Sequence, residues 1–262
     1  MRGHGEGRPG SGEAWSTGDV DEYERTRYRN LDQRLVDRLE RGALERLVRA
    51  AARPGDRVLD MPCGYGRLTE IAAGGSDGAA SGGSDGAASG GSDVPAPGAA
   101  EISPAGGAEV PPAGGADVAA APSAAPGRRV VAADRSREML RSSRGKARGA
   151  ALHCGADARR LPFRDRSFDG VICVRLIQHL AGAARREVFR ELARVTARWA
   201  VISVYRKAGL HHLQRRLLGR GRMCVSLDRI RDEVVDAGFR LERVAKPLPL
   251  LHAQTLLSLR RR

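Results

Sequence analysis

The chain has 262 residues, a length typical of one sizeable domain, with or without appended segments. Its hydrophobic fraction of 41% suffices for a core, but with only 4% aromatic residues most burial must come from aliphatic side chains. The net charge of +14 indicates an anionic partner. All but three of the 45 basic residues are arginine, however, and a GC-rich genome would produce the same bias.

Several classes of protein are excluded by simple patterns. The four cysteines lie far apart in no CxxC or Cys/His arrangement, so neither a zinc site nor a disulfide framework is predicted, and we expect no metal. Residues 1–18 lack the apolar stretch of a signal peptide, and we expect them to be disordered. No apolar run approaches the roughly 18 residues of a membrane span. A cytoplasmic protein with a reducing environment is the expectation.

A low-complexity block occupies residues 74–127. It opens with two copies of the octapeptide GGSDGAAS and continues with PAGGAEV and PAGGADV. The block contains six acidic residues and no Lys or Arg, and it has too little apolar bulk to offset the entropy of ordering. We therefore predict a disordered insertion within a single domain that spans residues 19–262.

Strand-like and helix-like stretches alternate on both sides of this block, which predicts an α/β fold with a mostly parallel sheet. An amphipathic helix is expected first, over Leu31–Ala51, and it should end before Pro54. A helix is also expected from Arg67. Ser226 should cap a later helix that ends at Gly238. The predicted strands, in chain order, are 57–60, 129–134, 151–154, 170–174, 199–205, 239–244 and 254–259.

The segment with the most specific pattern follows the first predicted strand. It reads VLDMPCGYGR over residues 58–67, so a strand leads into a Gly-x-Gly turn and then a helix. Such a turn presents backbone amides to a nucleotide-like ligand, although by itself it is a weak signal. Asp60 ends the strand just before the turn. Its charge would repel a dinucleotide phosphate and attract a ligand with a cationic end.

A second acidic residue lies where a ribose contact is expected. In an ordinary βαβ unit this acid follows the turn by about 20 residues. Asp134 follows Asp60 by 74 residues, and by 20 when the 54-residue block is left out. The insertion therefore interrupts a normal βαβ unit, at the edge of the sheet opposite the ligand crevice.

These residues resemble motif I of class I S-adenosylmethionine-dependent methyltransferases, in a variant that reads D-x-P-C-G-x-G-R. The resemblance covers the chain from about Arg57 to its end, apart from the insertion, and implies a Rossmann-like, doubly wound, seven-stranded sheet with an antiparallel C-terminal hairpin strand. It departs from the family at Pro62, where many members have glycine. The resemblance implies S-adenosylmethionine as cofactor. The residues that it places at the cofactor are Asp60, Cys63, Gly64, Gly66, Arg67, Asp134, Arg135, Met139, Asp157, Ala158, Val174 and Arg175.

The sequence says less about the methyl acceptor. His179, after the fourth strand, is the best-placed base, although a histidine that only packs or caps the next helix is the favoured interpretation. Tyr23 and Tyr28 either help to shape the acceptor pocket or anchor the first helix. Arg215 and Arg216, after the fifth strand, would suit an anionic acceptor, and a solvated helix face explains them equally well.

Three functions stay open at this point. The favoured one is methylation of a small-molecule or lipid-like acceptor. RNA methylation suits the positive charge, but no N/D-P-P-Y-type tetrapeptide follows the fourth strand. The third is a non-catalytic S-adenosylmethionine-binding protein.

Overall fold

The computed structural model describes residues 31–74, 127–147, 151–207, 224–248 and 252–262. Its elements follow the alternation that the sequence predicts. The helices are α1 (Leu31–Ala51), α2 (Thr69–Ala73), α3 (Arg137–Ala147), α4 (Gly182–Val195) and α5 (Leu227–Asp236). The strands are β1 (Arg57–Asp60), β2 (Arg129–Asp134), β3 (Ala151–Gly155), β4 (Phe168–Cys173), β5 (Thr196–Tyr205), β6 (Phe239–Ala245) and β7 (Gln254–Arg261).

The seven strands form one sheet in the order β3-β2-β1-β4-β5-β7-β6. Strands β1 to β5 are parallel, and β7 is antiparallel to both of its neighbours. This confirms the predicted Rossmann-like fold with its antiparallel C-terminal strand. Because the strand order reverses direction between β1 and β4, the carboxyl ends of these two strands flank the crevice where ligands bind in such folds.

Two buried layers cover the sheet. On one face Leu44 and Val48 of α1 pack with Ile71 of α2 against Trp199 and Val201. On the other face α4 and α5 cover the sheet through Val188, Phe189, Leu192, Ile230 and Val234. Strands buried on both faces explain why the parallel segments read as continuous apolar runs. Among the described residues, no helix combines the length and the apolar character that crossing a membrane requires.

The ends of the elements show how local sequence sets them. The Ser226 hydroxyl accepts the backbone N–H of Arg229 and caps α5, and Gly238 has a φ of 93°, so both predicted helix ends are confirmed. The helix expected from Arg67 begins instead at Thr69. Gly66 is left-handed, and the chain needs two more residues before helical geometry is established.

Candidate active site

The glycine turn lies between β1 and α2 and rests against β2. The backbone N–H of Cys63 donates to the carbonyl of Ala133 at 2.8 Å, which lays the turn across the end of β2. Gly64 and Gly66 have φ angles of 55° and 85°, a conformation that glycine adopts without strain. A Cβ at Gly66 would lie 3.0 Å from the Cα of Ser143, so α3 packs closely only because this residue is glycine. A Cβ at Gly64 would meet open space, so a ligand can approach the backbone there.

Asp134 ends β2 directly beside this turn. Its side chain is largely buried, with the residue 9% exposed. One carboxylate oxygen accepts the backbone N–H of Gly64 at 2.9 Å, and the other accepts the N–H of Ser136 at 2.9 Å. Burial raises the pKa of Asp134 above its ordinary value, and the backbone N–H groups of Ser136, Gly64 and Arg135 oppose the rise. An ionised carboxylate can accept about four hydrogen bonds, so a further donor such as a ribose hydroxyl can still bind.

Asp60 ends β1 and lies beneath the turn. It is 1% exposed and accepts a hydrogen bond from the Thr69 hydroxyl at 2.8 Å. Burial raises its pKa to about 7; the hydrogen bond from Thr69 opposes the rise, and the nearby charge of Asp134 adds to it. The structure thus brings the two aspartates together at neighbouring strand ends. Asp60 holds the start of α2, and its effect on a ligand would be electrostatic.

The chain leaves β4 through Val174, which is buried, and Arg175, which has a φ of 65°. The backbone N–H of Arg175 donates to the Ser203 hydroxyl at 2.7 Å and so ties the end of β4 to β5. The guanidinium groups of Arg175 and Arg67 both form ion pairs with Glu40 of α1. Both arginines were predicted at the cofactor, and the structure gives their side chains a protein partner that the sequence did not predict.

Comparison with known proteins agrees with this geometry. Residues 112–202, about a third of the chain, match the family model described as a methyltransferase domain. This match begins after the glycine turn, so the turn and the fold are independent observations that agree with it. Residues 112–202 therefore resemble a methyltransferase domain, and they include most of the strands of the parallel sheet. No curated protein matches the sequence.

Solved structures resemble this chain over nearly its whole length. Magnesium protoporphyrin IX methyltransferase from Synechocystis, crystallised with S-adenosylhomocysteine, has a TM-score of 0.64 and 18% identity over 94% of this chain and 95% of its own. A possible histamine N-methyltransferase from Thermotoga maritima has a TM-score of 0.54 and 13% identity over 94% and 97%. A TehB-like methyltransferase from Corynebacterium glutamicum has a TM-score of 0.55 and 14% identity over 94% and 100%. At these identities the likeness is one of fold.

The remaining residues that the sequence predicts at the cofactor lie along the same edge of the sheet. Met139 is buried on α3, and Arg135 is exposed in the turn before that helix. Ala158 is buried just beyond β3. Asp157 is half-buried, and Arg159 contacts its carboxylate through both its backbone N–H and its guanidinium group, each at 2.9 Å. Hydrogen bonding from Arg159 lowers the pKa of Asp157, so this acid is ionised in the free protein.

The residues that the sequence predicts at the acceptor are only partly described. His179 is exposed at the end of a short 3-10 turn after β4, so it stands at the same carboxyl edge as the cofactor residues. Tyr23, Tyr28, Arg215 and Arg216 lie outside the described residues, and their predicted roles stay predictions.

Sequence reasoning missed two buried polar residues at this edge. Glu40 is completely buried on α1. In the sequence it looks like any other polar residue of an amphipathic helix, so its burial was not predicted. Gln178, immediately before His179, is 5% exposed, and within the described part of the chain its side-chain oxygen has no hydrogen-bond donor. A glutamine in a short apolar segment is compatible with burial and with exposure, so the sequence did not predict that this amide is buried.

Proposed function

We propose that this protein is an S-adenosylmethionine-dependent methyltransferase and that it transfers a methyl group to a small-molecule or lipid-like acceptor that carries negative charge. The observation that carries the donor side is the bond from Gly64 to Asp134, which joins an open glycine turn to a buried carboxylate at the ligand-binding edge. On the acceptor side, two structural neighbours are named for small molecules, a magnesium porphyrin and histamine. The arginines after β5, Arg215 and Arg216, supply the charge that an anionic acceptor requires.

The residues at this edge fit S-adenosylmethionine. Asp134 would accept hydrogen bonds from the ribose, and Gly64 and Gly66 allow the backbone to approach the ligand closely. Met139, Asp157 and Ala158 lie on the β2–β3 side, where the adenine would be held. The β4 end would receive the amino group through the backbone of Val174 and Arg175, and the charge of Asp60 favours a cation. Cys63, Arg67 and Arg135 complete the surrounding shell.

The bound cofactor supplies a methyl group that a sulfonium already activates. The chain itself has to hold the acceptor atom in line, roughly 3–3.5 Å from that methyl group, and keep water out. Where the acceptor atom must lose a proton, we propose His179 as the base, because it stands at the carboxyl edge of β4 and imidazole accepts protons near neutral pH. His179→Gln should then lower kcat and leave the affinity for S-adenosylmethionine unchanged. Equal kcat in wild type and variant would remove His179 from the mechanism.

Transfer of labelled methyl groups tests the acceptor class. The purified protein is incubated with radiolabelled S-adenosylmethionine and a cell extract that is separated into small-molecule, lipid, RNA and protein fractions. We expect label in the small-molecule or lipid fraction, and retention of the labelled product on an anion-exchange resin. Label in RNA would replace this proposal with RNA methylation. Binding of the donor without label in any fraction would support a non-catalytic role.

A further inference from the structure

A buried ionic cluster joins α1 to the carboxyl edge of the sheet. Its centre is the carboxylate of Glu40, which is 0% exposed. One guanidinium nitrogen of Arg67 lies 3.0 Å from this carboxylate, and the Nε of Arg175 lies 3.2 and 3.0 Å from its two oxygens. The side-chain amide of Gln254 donates to it as well. Asp37, one turn earlier on α1, is a second partner of Arg67.

The three donors come from three separate parts of the chain. Arg67 follows the glycine turn, Arg175 follows β4, and Gln254 begins β7. They are far apart in the chain, separated from Glu40 by 27, 135 and 214 residues. A single carboxylate on α1 thus connects the two segments that flank the proposed donor site with the strand that borders β5.

Electrostatics keeps this carboxylate ionised. Burial alone would raise the pKa of Glu40, but the positive charges and hydrogen bonds of Arg67 and Arg175 outweigh it and lower the pKa to about 2. Both arginine side chains are themselves mostly buried, at 12% and 16% exposure. Little water reaches either guanidinium group, so loss of the Glu40 carboxylate would leave both charges poorly compensated and favour movement of the segments that carry them.

The backbone at Arg175 shows what the cluster constrains. Its φ of 65° lies in the left-handed region that non-glycine residues seldom adopt. Two contacts hold it there, since its N–H donates to Ser203 and its side chain is clamped on Glu40. This peptide is also the one that we propose to contact the cofactor.

We infer that Glu40 is a positioning residue for the donor site. Through Arg67 it fixes the segment between the glycine turn and α2, and through Arg175 it fixes the left-handed end of β4. It touches neither cofactor nor acceptor. The consequence is that α1, which precedes every recognised motif, completes the donor site. This inference rests on the proposed placement of S-adenosylmethionine.

The test compares two buried glutamates, each changed to glutamine. Glu233 of α5 is the matched control, because it is also buried against an arginine, Arg185, at 2.6 Å, but on the opposite face of the sheet. We expect both variants to unfold at lower temperature. Below both transitions, Glu40→Gln should raise the Kd for S-adenosylmethionine by about tenfold, the scale of one lost charge-assisted hydrogen bond. Glu233→Gln should bind the donor as the wild type does.

A conservative variant guards against a failure of Glu40→Gln to fold. Glu40→Asp keeps the negative charge but moves it one methylene away from Arg67 and Arg175. We therefore expect a folded protein whose Kd for S-adenosylmethionine rises less than that of Glu40→Gln. Wild-type affinity in a folded Glu40→Asp or Glu40→Gln variant would overturn the inference and leave the proposed function intact. Equal losses of affinity in the Glu40 and Glu233 variants would also overturn it. A wild-type protein that does not bind S-adenosylmethionine would overturn both proposals.

Discussion

Two buried aspartates stand at opposite ends of the same four-residue strand. Asp56 precedes β1 and is 5% exposed, and Asp60 ends β1 and is 1% exposed. Asp56 accepts the backbone N–H of Arg53 at 2.9 Å, the indole N–H of Trp199 at 3.2 Å and the guanidinium group of Arg198. Asp60 accepts a hydrogen bond from the Thr69 hydroxyl and lies near a second carboxylate, Asp134, whose effect on its pKa is larger than the opposing effect of the Arg67 charge.

The two ends of β1 differ in the charges that surround a buried carboxylate. At the amino end of β1 the protein itself supplies a cation, so Asp56 is part of the scaffold. At the carboxyl end two acids lie together, and the pKa of Asp60 is raised to about 7. An arrangement of that kind costs stability in the free protein and is compensated when a cation binds. We therefore assign Asp56 a structural role and propose that Asp60 acts on a bound ligand through its charge.

The largest expected effect is on the structural side of this contrast. Asp56→Ala leaves the buried indole N–H of Trp199 without an acceptor and reduces the partners of Arg198 to Asp169, 3.6 Å away, so the free energy of unfolding should fall by about 3 kcal/mol. Denaturant unfolding measures this loss. Glu187→Ala, an exposed acid on α4, is the control and should change stability by less than about 0.5 kcal/mol. A folded Asp56→Ala variant with weaker affinity for the donor would contradict the purely structural role that we assign to Asp56.

Asp134→Ala tests the ligand side. Removal of the carboxylate that we assign to the ribose should weaken binding of S-adenosylmethionine by about 2 kcal/mol, or roughly thirtyfold in Kd. Isothermal titration calorimetry measures it. Asp165→Ala, an acid whose side chain is 75% exposed and which lies before β4, should bind as the wild type does. Unchanged affinity in Asp134→Ala would refute the assignment.

The pH dependence of donor binding sharpens the contrast further. The folded pKa of Asp60, about 7, exceeds its ordinary value of 3.8, so the folded protein binds an extra proton between these pH values. Its unfolding free energy should therefore fall as the pH rises through this window. A cationic donor favours the ionised carboxylate, so its affinity should rise over the same window, by up to about tenfold per pH unit.

Asp60→Asn is the control for this prediction, since asparagine cannot titrate. We expect its donor affinity to change little between pH 5 and 8, when wild type and variant are compared by calorimetry in the same buffers. The same pH dependence in both proteins would assign the effect to another group, such as Asp134.

The smallest effect is expected from excision of residues 75–126. The block enters on the Asp56 side of the sheet, where Arg128 donates its backbone N–H to Ala73 at 3.4 Å and its guanidinium to Ile71 at 3.0 Å. These contacts already close the two ends of the insertion. A short glycine-serine linker should therefore preserve both the unfolding free energy, to within about 0.5 kcal/mol, and the donor affinity. Collapse of the shortened protein would show that the block is structural.

The sequence predicted the fold because its signals are local. The glycine turn, the apolar strands and the caps at Ser226 and Gly238 depend on neighbours a few residues away, and each was confirmed. The spacing of 20 residues between the two aspartates, once the insertion is left out, also revealed which strands are adjacent. Strand limits were less well predicted: β5 begins at Thr196, three residues before the predicted start, because pairing with β4 extends it.

What the sequence determined by itself was the order of elements and the residues that meet at the ligand edge, because strand and turn chemistry is encoded over short distances. The tertiary structure alone decided which partners those residues have within the protein. Asp60 lies beneath the turn, Arg67 and Arg175 are clamped on α1, and Glu40 finds its partner Gln254 across 214 residues. Burial and charge pairing depend on contacts that only folding brings together, so no local pattern could have predicted them.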